Sequence, residues 1–322
     1  DECSMMDMWL AHQLFSRIGP STKVLLVGDA DQLESVGAGG VFLELIDSGL
    51  VPVTVLDEIF RQAKGSLIAY NARSINEGNG ELNYGLDFAF IRADDQESTA
   101  ELVRSLYKKE AAKVGMSQVQ ILSPYRSEGD ASAVNLNNAI QEAINPSKPE
   151  KPEVTQGGKV FRLRDRVMQI KNNYDIVLRD SEGKQLSTGV FNGETGFVIG
   201  IQHGTVTVNY DGRYADYPLE NVDELDLAYA MTIHKSQGSE CDTVIIPMLA
   251  AHKVLLSRNL LYTAVTRAKH RVLLVGQKKA LYMAVAKTRK GKRNTLLAER
   301  IRLYHQALTS QAPKRVPLKK AS

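Results

Sequence analysis

Apolar positions along the 322-residue chain follow two different rhythms. From about Ser4 to Ile18 they recur at helical spacing, and after a Gly19-Pro20 break comes the unbroken run Val24, Leu25, Leu26, Val27, which stops at Gly28-Asp29. A short continuous apolar run bounded by loop residues predicts a parallel strand buried on both faces. The same signal recurs at Val119 to Leu122 before Ser123-Pro124, at Val244 to Ile246, and at Val272 to Val275 before Gly276. Helical stretches at about Ser98 to Lys113 and Glu128 to Ile144 lie between these runs, which predicts an α/β protein with helices on both faces of its parallel sheets.

The rhythm changes after Asn145. Pro146, Pro149, Pro152, Gly157 and Gly158 read as a linker, followed by alternating strands at Lys159 to Leu163, Arg166 to Ile170, Thr195 to Ile201, Thr205 to Tyr210 and Tyr214 to Leu219. Near Leu225 the α/β rhythm resumes. The β segment, 155 to 222, therefore interrupts a domain, and its linker predicts that it can be removed with the α/β part still folded.

Composition adds exclusions. Hydrophobic content of 43% and charged content of 24% are those of a globular protein, and no apolar run approaches a membrane span. Cys3 and Cys241 lie far apart without CxxC spacing, so neither a disulfide framework nor a zinc site is expected, and the compartment reads as a reducing cytoplasm. The net charge of +3 hides an asymmetry: Lys278 to Ser322 holds 13 basic residues against Glu299 alone, or +12, leaving −9 for the rest. A basic tail from 301 to 322 suits a polyanion partner or is a solvated extension.

Six stretches carry candidate chemistry: Asp1-Glu2-Cys3-Ser4, Gly28-Asp29-Ala30-Asp31-Gln32-Leu33, Glu58-Ile59-Phe60-Arg61-Gln62, Ser123-Pro124-Tyr125-Arg126, Thr232 to Glu240, and Leu261 to Lys269. In this order and spacing they resemble motifs II, III, IV, IVa, V and VI of superfamily 1 DNA helicases. The likeness is to the RecD/TraA type in particular, through Gly28-Asp29-x-Asp31-Gln32-Leu33-x-Ser35-Val36-Gly37-Ala38-Gly39, Asn172-Asn173-Tyr174-Asp175, and Phe191-Asn192-Gly193-Glu194-x-Gly196.

That resemblance implies RecA-like P-loop NTPase helicase domains, the first of them partial, with an inserted SH3-like barrel. Residues 1–56 would close the first RecA-like domain, while 57–150 and 223–300 form the second. It also implies ATP, Mg²⁺ and single-stranded DNA as ligands, 5′-to-3′ movement, repair or recombination proteins as partners, and no membrane.

The residues themselves suit phosphoryl transfer. Asp1 can hold Mg²⁺ while Glu2 deprotonates the attacking water, although two surface acids would look the same. Gln32 can bond a γ-phosphate oxygen and that water, or be merely solvated. Arg61 and Arg267 suit transition-state charge, or an ion pair at a helix end. By the resemblance both reach the ATP cleft and Glu240 binds the ribose.

His234, Lys235, Ser236 and Gln237 form a donor-rich run suited to single-strand phosphates, with no second ligand at metal spacing for His234. Tyr125 is a stacking candidate or an ordinary loop tyrosine. Arg162, Arg164, Arg166 and Lys171 would line a DNA-facing side of the barrel, or serve solubility.

No Gly-Lys in the chain completes GxxxxGK[ST], so the phosphate loop that superfamily 1 enzymes carry before motif II is missing from these residues. The sequence therefore reads as part of an ATP-dependent helicase that turns over no ATP by itself. The alternative is a helicase-derived nucleic-acid-binding or regulatory protein. A generic α/β phosphohydrolase would leave His234 to Glu240 and the barrel unexplained.

Overall fold

The computed structural model describes residues 1–56, 65–288, 293 and 295–311. The chain divides into two compact units, Asp1–Ile59 with Lys290–Ser322, and Phe60–Arg289. Arg61, with the rest of Glu58 to Gln62, lies outside the described residues, as does the chain beyond 311.

In the first unit α1 (Met8–Phe15) starts where the Asp7 carboxylate accepts the Leu10 N–H, so the helix is shorter than its apolar spacing suggested. A small core of Met6, Ala11 and Val41 joins α1 to α2 (Val41–Asp47), with Leu26, Leu45 and Leu297 packed against it. Residues 301–311, expected within a basic tail, belong to a helix, Leu297–Gln311, that packs on α2. Its N-terminus is held by Glu44, which accepts from Leu297 N at 2.7 Å, where a carboxylate meets the positive end of the helix dipole. Arg302 returns the favour at the other helix, donating to Ser48 O at 3.2 Å and to Asp47 O.

The strand expected at Val24 to Val27 does not form. The run is extended but unpaired with any strand among the described residues, and Leu25 is 84% exposed. A strand is completed by hydrogen bonds to a neighbour, and the one such bond here runs from Cys3 N to Val27 O at 2.9 Å.

In the second unit α3 (Leu67–Glu77), β1 (Phe88–Arg92), α4 (Gln96–Val114), β2 (Val119–Ser123) and α5 (Ala133–Ile144) alternate as expected of an α/β domain. Helix α5 begins at the Ser132 cap, because Gly129 at φ +79 turns the preceding residues out of the helix. The all-β segment then runs through β3 (Glu153–Gln156), β4 (Lys159–Arg162), β5 (Arg166–Gln169), β6 (Asn173–Arg179), β7 (Gln185–Val190) and β8 (Thr195–Gln202). It ends with β9 (Thr205–Tyr210), β10 (Arg213–Pro218) and β11 (Leu225–Leu227). The chain returns through β12 (Ala230–Thr232), β13 (Cys241–Met248), α6 (Arg258–Thr266), β14 (Ala268–Gly276) and α7 (Lys278–Ala286).

Two sheets result. β1-β14-β13-β2-β12 is parallel throughout, and β2 is buried along its whole length. The inserted strands pair antiparallel in a separate sheet, β11-β5-β8-β9-β10-β6-β7, beside the hairpin β3-β4. Strand β6, whose start carries the Asn172 to Asp175 signature, and β7 have no apolar alternation strong enough to announce them.

The insertion is not isolated by its linker. One apolar core includes Val103, Tyr107, Ile121 and Leu136 of the α/β part together with Val167, Val198, Val208 and Leu225 of the barrel strands. At the junction Asp165 is fully buried and accepts from Arg162 N, Tyr229 Oη, Asn145 Nδ2 and Gln141 Nε2 at 2.5 to 2.7 Å. Burial raises the Asp165 pKa, and these four donors oppose the rise. Cys3 and Cys241 are both free thiols. Among the described residues no helix is long and apolar enough to cross a membrane.

Candidate functional site

In the first unit a glycine brings two of the candidate stretches together. A Cβ on Gly28 would sit 2.9 Å from Ser4 N and 3.1 Å from Cys3 N, so the loop after Val27 lies directly on the backbone that follows Asp1 and Glu2. Asp1 is exposed and accepts from Glu2 N at 2.8 Å. Glu2 is held in the left-handed region at φ 55, a conformation that costs energy for a residue with a side chain. Asp29 organises the next loop, accepting from Asp31 N at 2.9 Å and from Gln32 Nε2 at 3.2 Å, so the buried Gln32 amide is oriented and not merely solvated.

A residue missed at the level of sequence stabilises this region. Arg293 was part of the basic count, yet its guanidinium donates to Glu34 at 2.7 Å, Ser35 O at 2.6 Å, Gly39 O at 3.2 Å and Gly37 O. Ser35 Oγ donates to the same Gly39 carbonyl at 2.9 Å. The turn of Gly37 to Gly39 is thus filled by a planar fork of donors that fits converging carbonyls. No spacing rule links residue 293 to residue 35.

In the second unit the parallel sheet sorts the candidates to its two edges. Thr232 pairs with Ser123, so the C-terminal ends of β12 and β2 are level, and Tyr125, Arg126, His234 and Lys235 all follow that edge. The Thr232 hydroxyl caps the turn by accepting from Lys235 N at 3.4 Å. His234, Lys235 and Gln237 are half-buried there, whereas Ser236 is buried with its hydroxyl donated inward to Ile233 O at 2.8 Å. Ser236 thus spends its hydroxyl proton on the turn itself. The ring of Tyr125 lies 4.9 Å from that of His252, which is 2% exposed and, among the described residues, has no hydrogen-bond partner for either ring nitrogen. Burial pushes the His252 pKa down to about 4.

At the opposite edge Cys241 pairs with Ala268, so the residues just before them, Glu240 and Arg267, are neighbours. Arg267 ends α6, is 3% exposed and donates to Ser239 O at 3.4 Å, while Glu240 lies 3.4 Å from Lys269. This ties the end of the Thr232 to Glu240 stretch to the end of Leu261 to Lys269. The sheet order, not chain proximity, makes that pairing.

Two of the three arginines expected on a DNA-facing barrel surface are otherwise employed. Arg162 is buried and bonds Glu142 at 2.6 Å, Glu153 at 3.1 Å and Asn145 O at 3.1 Å. Arg166, also buried, donates to Met116 O at 3.0 Å and Val119 O at 2.7 Å. Their side chains lock the insertion to the α/β part, and strand alternation alone could not show which face meets another layer. Lys171 pairs with Asp223 at 3.0 Å, and Arg164 is exposed.

Comparison with known proteins gives three family matches: an AAA domain at residues 1–96, the ATP-dependent RecD-like DNA helicase SH3 domain at 136–210, and the UvrD-like helicase C-terminal domain at 227–275. The ATP-dependent RecD2 DNA helicase of Deinococcus radiodurans is 34% identical over 307 residues, 94% of this chain and 39% of that protein. The RecBCD enzyme subunit RecD of Mycobacterium tuberculosis is 31% identical over 89% of this chain and 50% of that protein. Among solved structures, the Pif1 helicase of Candida albicans aligns with a TM-score of 0.47 at 16% identity, covering 96% of this chain and 76% of that one. The chain thus spans half or less of the length of these two curated relatives. Across nearly its whole length it is a homologue of the RecD-like DNA helicases.

Proposed function

We propose that this chain supplies the later part of an ATP-dependent helicase motor acting on single-stranded DNA in the 5′-to-3′ direction, with the phosphate loop furnished by polypeptide outside these 322 residues. The observation that carries the reading is the sorting of motif residues: donors suited to a nucleic-acid backbone follow the C-terminal edge of the parallel sheet, and Glu240 with Arg267 precede its N-terminal edge. One sheet can then link a DNA grip to a nucleotide grip. Its homology to RecD-like helicases supports the same assignment.

In this reading Mg²⁺ bound with ATP would neutralise phosphate charge. A single exposed carboxylate suits it, since this ion relies on few protein ligands beside phosphates and water, and Asp1 offers one. Glu2 accepts the proton of the attacking water. Gln32, oriented by Asp29, positions that water, and Arg267 with Arg61 stabilises charge on the equatorial phosphate oxygens. Glu240 meets the ribose. His234, Lys235 and Gln237 hold backbone phosphates while Tyr125 offers a ring to a base.

Steady-state ATP hydrolysis by the purified chain with saturating oligo(dT) tests the division of labour. Negligible turnover is expected, because the phosphates lack their cradle. Robust turnover abolished by Glu2→Gln would overturn it. The alternative of a nucleic-acid-binding protein without turnover is favoured by the missing GxxxxGK[ST]. It predicts no hydrolysis even when the phosphate-loop domain of a RecD-like relative is joined to the chain.

A further inference from the structure

Three cations converge on one carboxylate where the inserted strands meet the parallel sheet. Lys159 of β4 approaches Asp226 Oδ1 of β11 at 2.5 Å, while Arg126 from the loop after β2 and Lys235 from the turn after β12 share Oδ2 at 3.9 and 4.0 Å. Only Lys159 is within hydrogen-bond distance, and it also donates to Leu225 O at 2.9 Å. Among the described residues neither the Arg126 guanidinium nor the Lys235 ammonium donates a hydrogen bond. The two heads are held to Asp226 by charge, and Arg126, 66% exposed, keeps its donors facing solvent.

Such a cluster is under-neutralised. It carries three positive charges against one negative, in a setting where Lys235 and Lys159 side chains are each 33% exposed and Asp226 is 22% exposed. Burial lowers the Lys235 pKa, and Arg126 and Lys159 lower it further, against the opposing pull of Asp226. Like charges are gathered here at a cost that the intramolecular partner only partly offsets. A second anion with several acceptor oxygens would accept from both heads at once.

We infer that Arg126, Lys159 and Lys235 form a site for one backbone phosphate of single-stranded DNA, and that Asp226 stands in for this phosphate when the strand is absent. The inference rests on the proposed function and adds two residues, Lys159 and Asp226, that none of the helicase-like stretches contains. Because β4 and β11 belong to the insertion and the other two cations to the α/β part, a phosphate here would be gripped by both. Asp226 sets the affinity: it keeps the cations together in the free protein and competes for them when DNA arrives.

The test is the salt dependence of fluorescein-labelled oligo(dT) binding to the full chain, read by anisotropy. Lys159→Gln and Arg126→Gln should each flatten the log–log slope by about 0.7, the contribution of one phosphate on a single strand. Lys159→Arg should keep the slope. Asp226→Asn should tighten binding several-fold without flattening it, whereas a purely structural aspartate would weaken binding when removed. Lys109→Gln, on the exposed face of α4, controls for net charge. Weaker binding by folded Asp226→Asn, or the same flattening in Lys109→Gln, would overturn the proposal. Should Asp226→Asn fail to fold, the two glutamine variants decide it. A wild-type slope that neither changes would sink this site and leave the DNA-binding reading standing, whereas a wild-type chain that does not bind oligo(dT) would sink both.

Discussion

Val24 to Val27 and Val119 to Leu122 are nearly interchangeable as sequence, each an apolar run stopped by a polar loop, yet they end in different states. β2 is buried along its length between β13 and β12. The other run stays extended, with Leu25 mostly in solvent. What separates them is the neighbours: β2 has a strand on each side, whereas Val24 to Val27 has one backbone bond from Cys3. A strand is a property of a pair, and apolar content gives only the readiness to form one.

Amide hydrogen exchange breaks or upholds this comparison directly: β2 amides should exchange slowly and those of Val24 to Val27 rapidly. The largest perturbation is expected at Asp165. Asp165→Ala takes an acceptor from four buried donors, of which Gln141 keeps Val160 O and Asn145 keeps Leu163 O, and should cost about 3 kcal/mol, read as a lower urea midpoint together with lost protection in β2 and β5. Unchanged protection in β2 would mean that the insertion is not locked to the parallel sheet as described.

Next comes pH. Among the described residues His252 is buried without a hydrogen-bond partner and its pKa is depressed to about 4, below the ordinary value of 6.5, so the unfolded chain binds the extra proton first. Its contribution is complete above pH 6.5 and is lost as pH falls toward 4, up to about 3 kcal/mol over that window. His252→Leu should flatten the fall in thermal midpoint between those pH values. An equally steep fall in the variant would assign the loss to other groups.

Smaller effects are expected in the first unit. Gly28→Ala forces a methyl onto the backbone of Cys3 and Ser4 and should cost about 1–3 kcal/mol, visible through the fluorescence of Trp9, the sole tryptophan. Arg293→Gln removes a fork of donors and should speed exchange in residues 35 to 39 by an amount equivalent to about 1 kcal/mol. No change there would make Arg293 a surface residue.

Much of the second unit could be read from the chain because its signals are local. Apolar runs mark β2, β13 and β14, a helical stretch marks α4, and alternation marks β8 and β9. The candidate stretches were legible as residue types, but their grouping was not: Thr232 level with Ser123, and Glu240 beside Arg267, follow from a strand order that no spacing encodes. Charged residues misled for a related reason. Arg162 and Arg166 look like solvent-facing cations until the layer that buries them is present, and Arg293 finds its partners far away along the chain. Asp226 has no motif at all.

The assignment of the C-terminal sheet edge to nucleic acid is tested most directly by photocrosslinking oligo(dT) that carries 5-iododeoxyuridine to the full chain, followed by peptide mapping. Crosslinks should fall in the peptides holding Tyr125-Arg126 and His234-Lys235. Crosslinks confined to the peptides holding Glu240 or Arg267 would contradict the account.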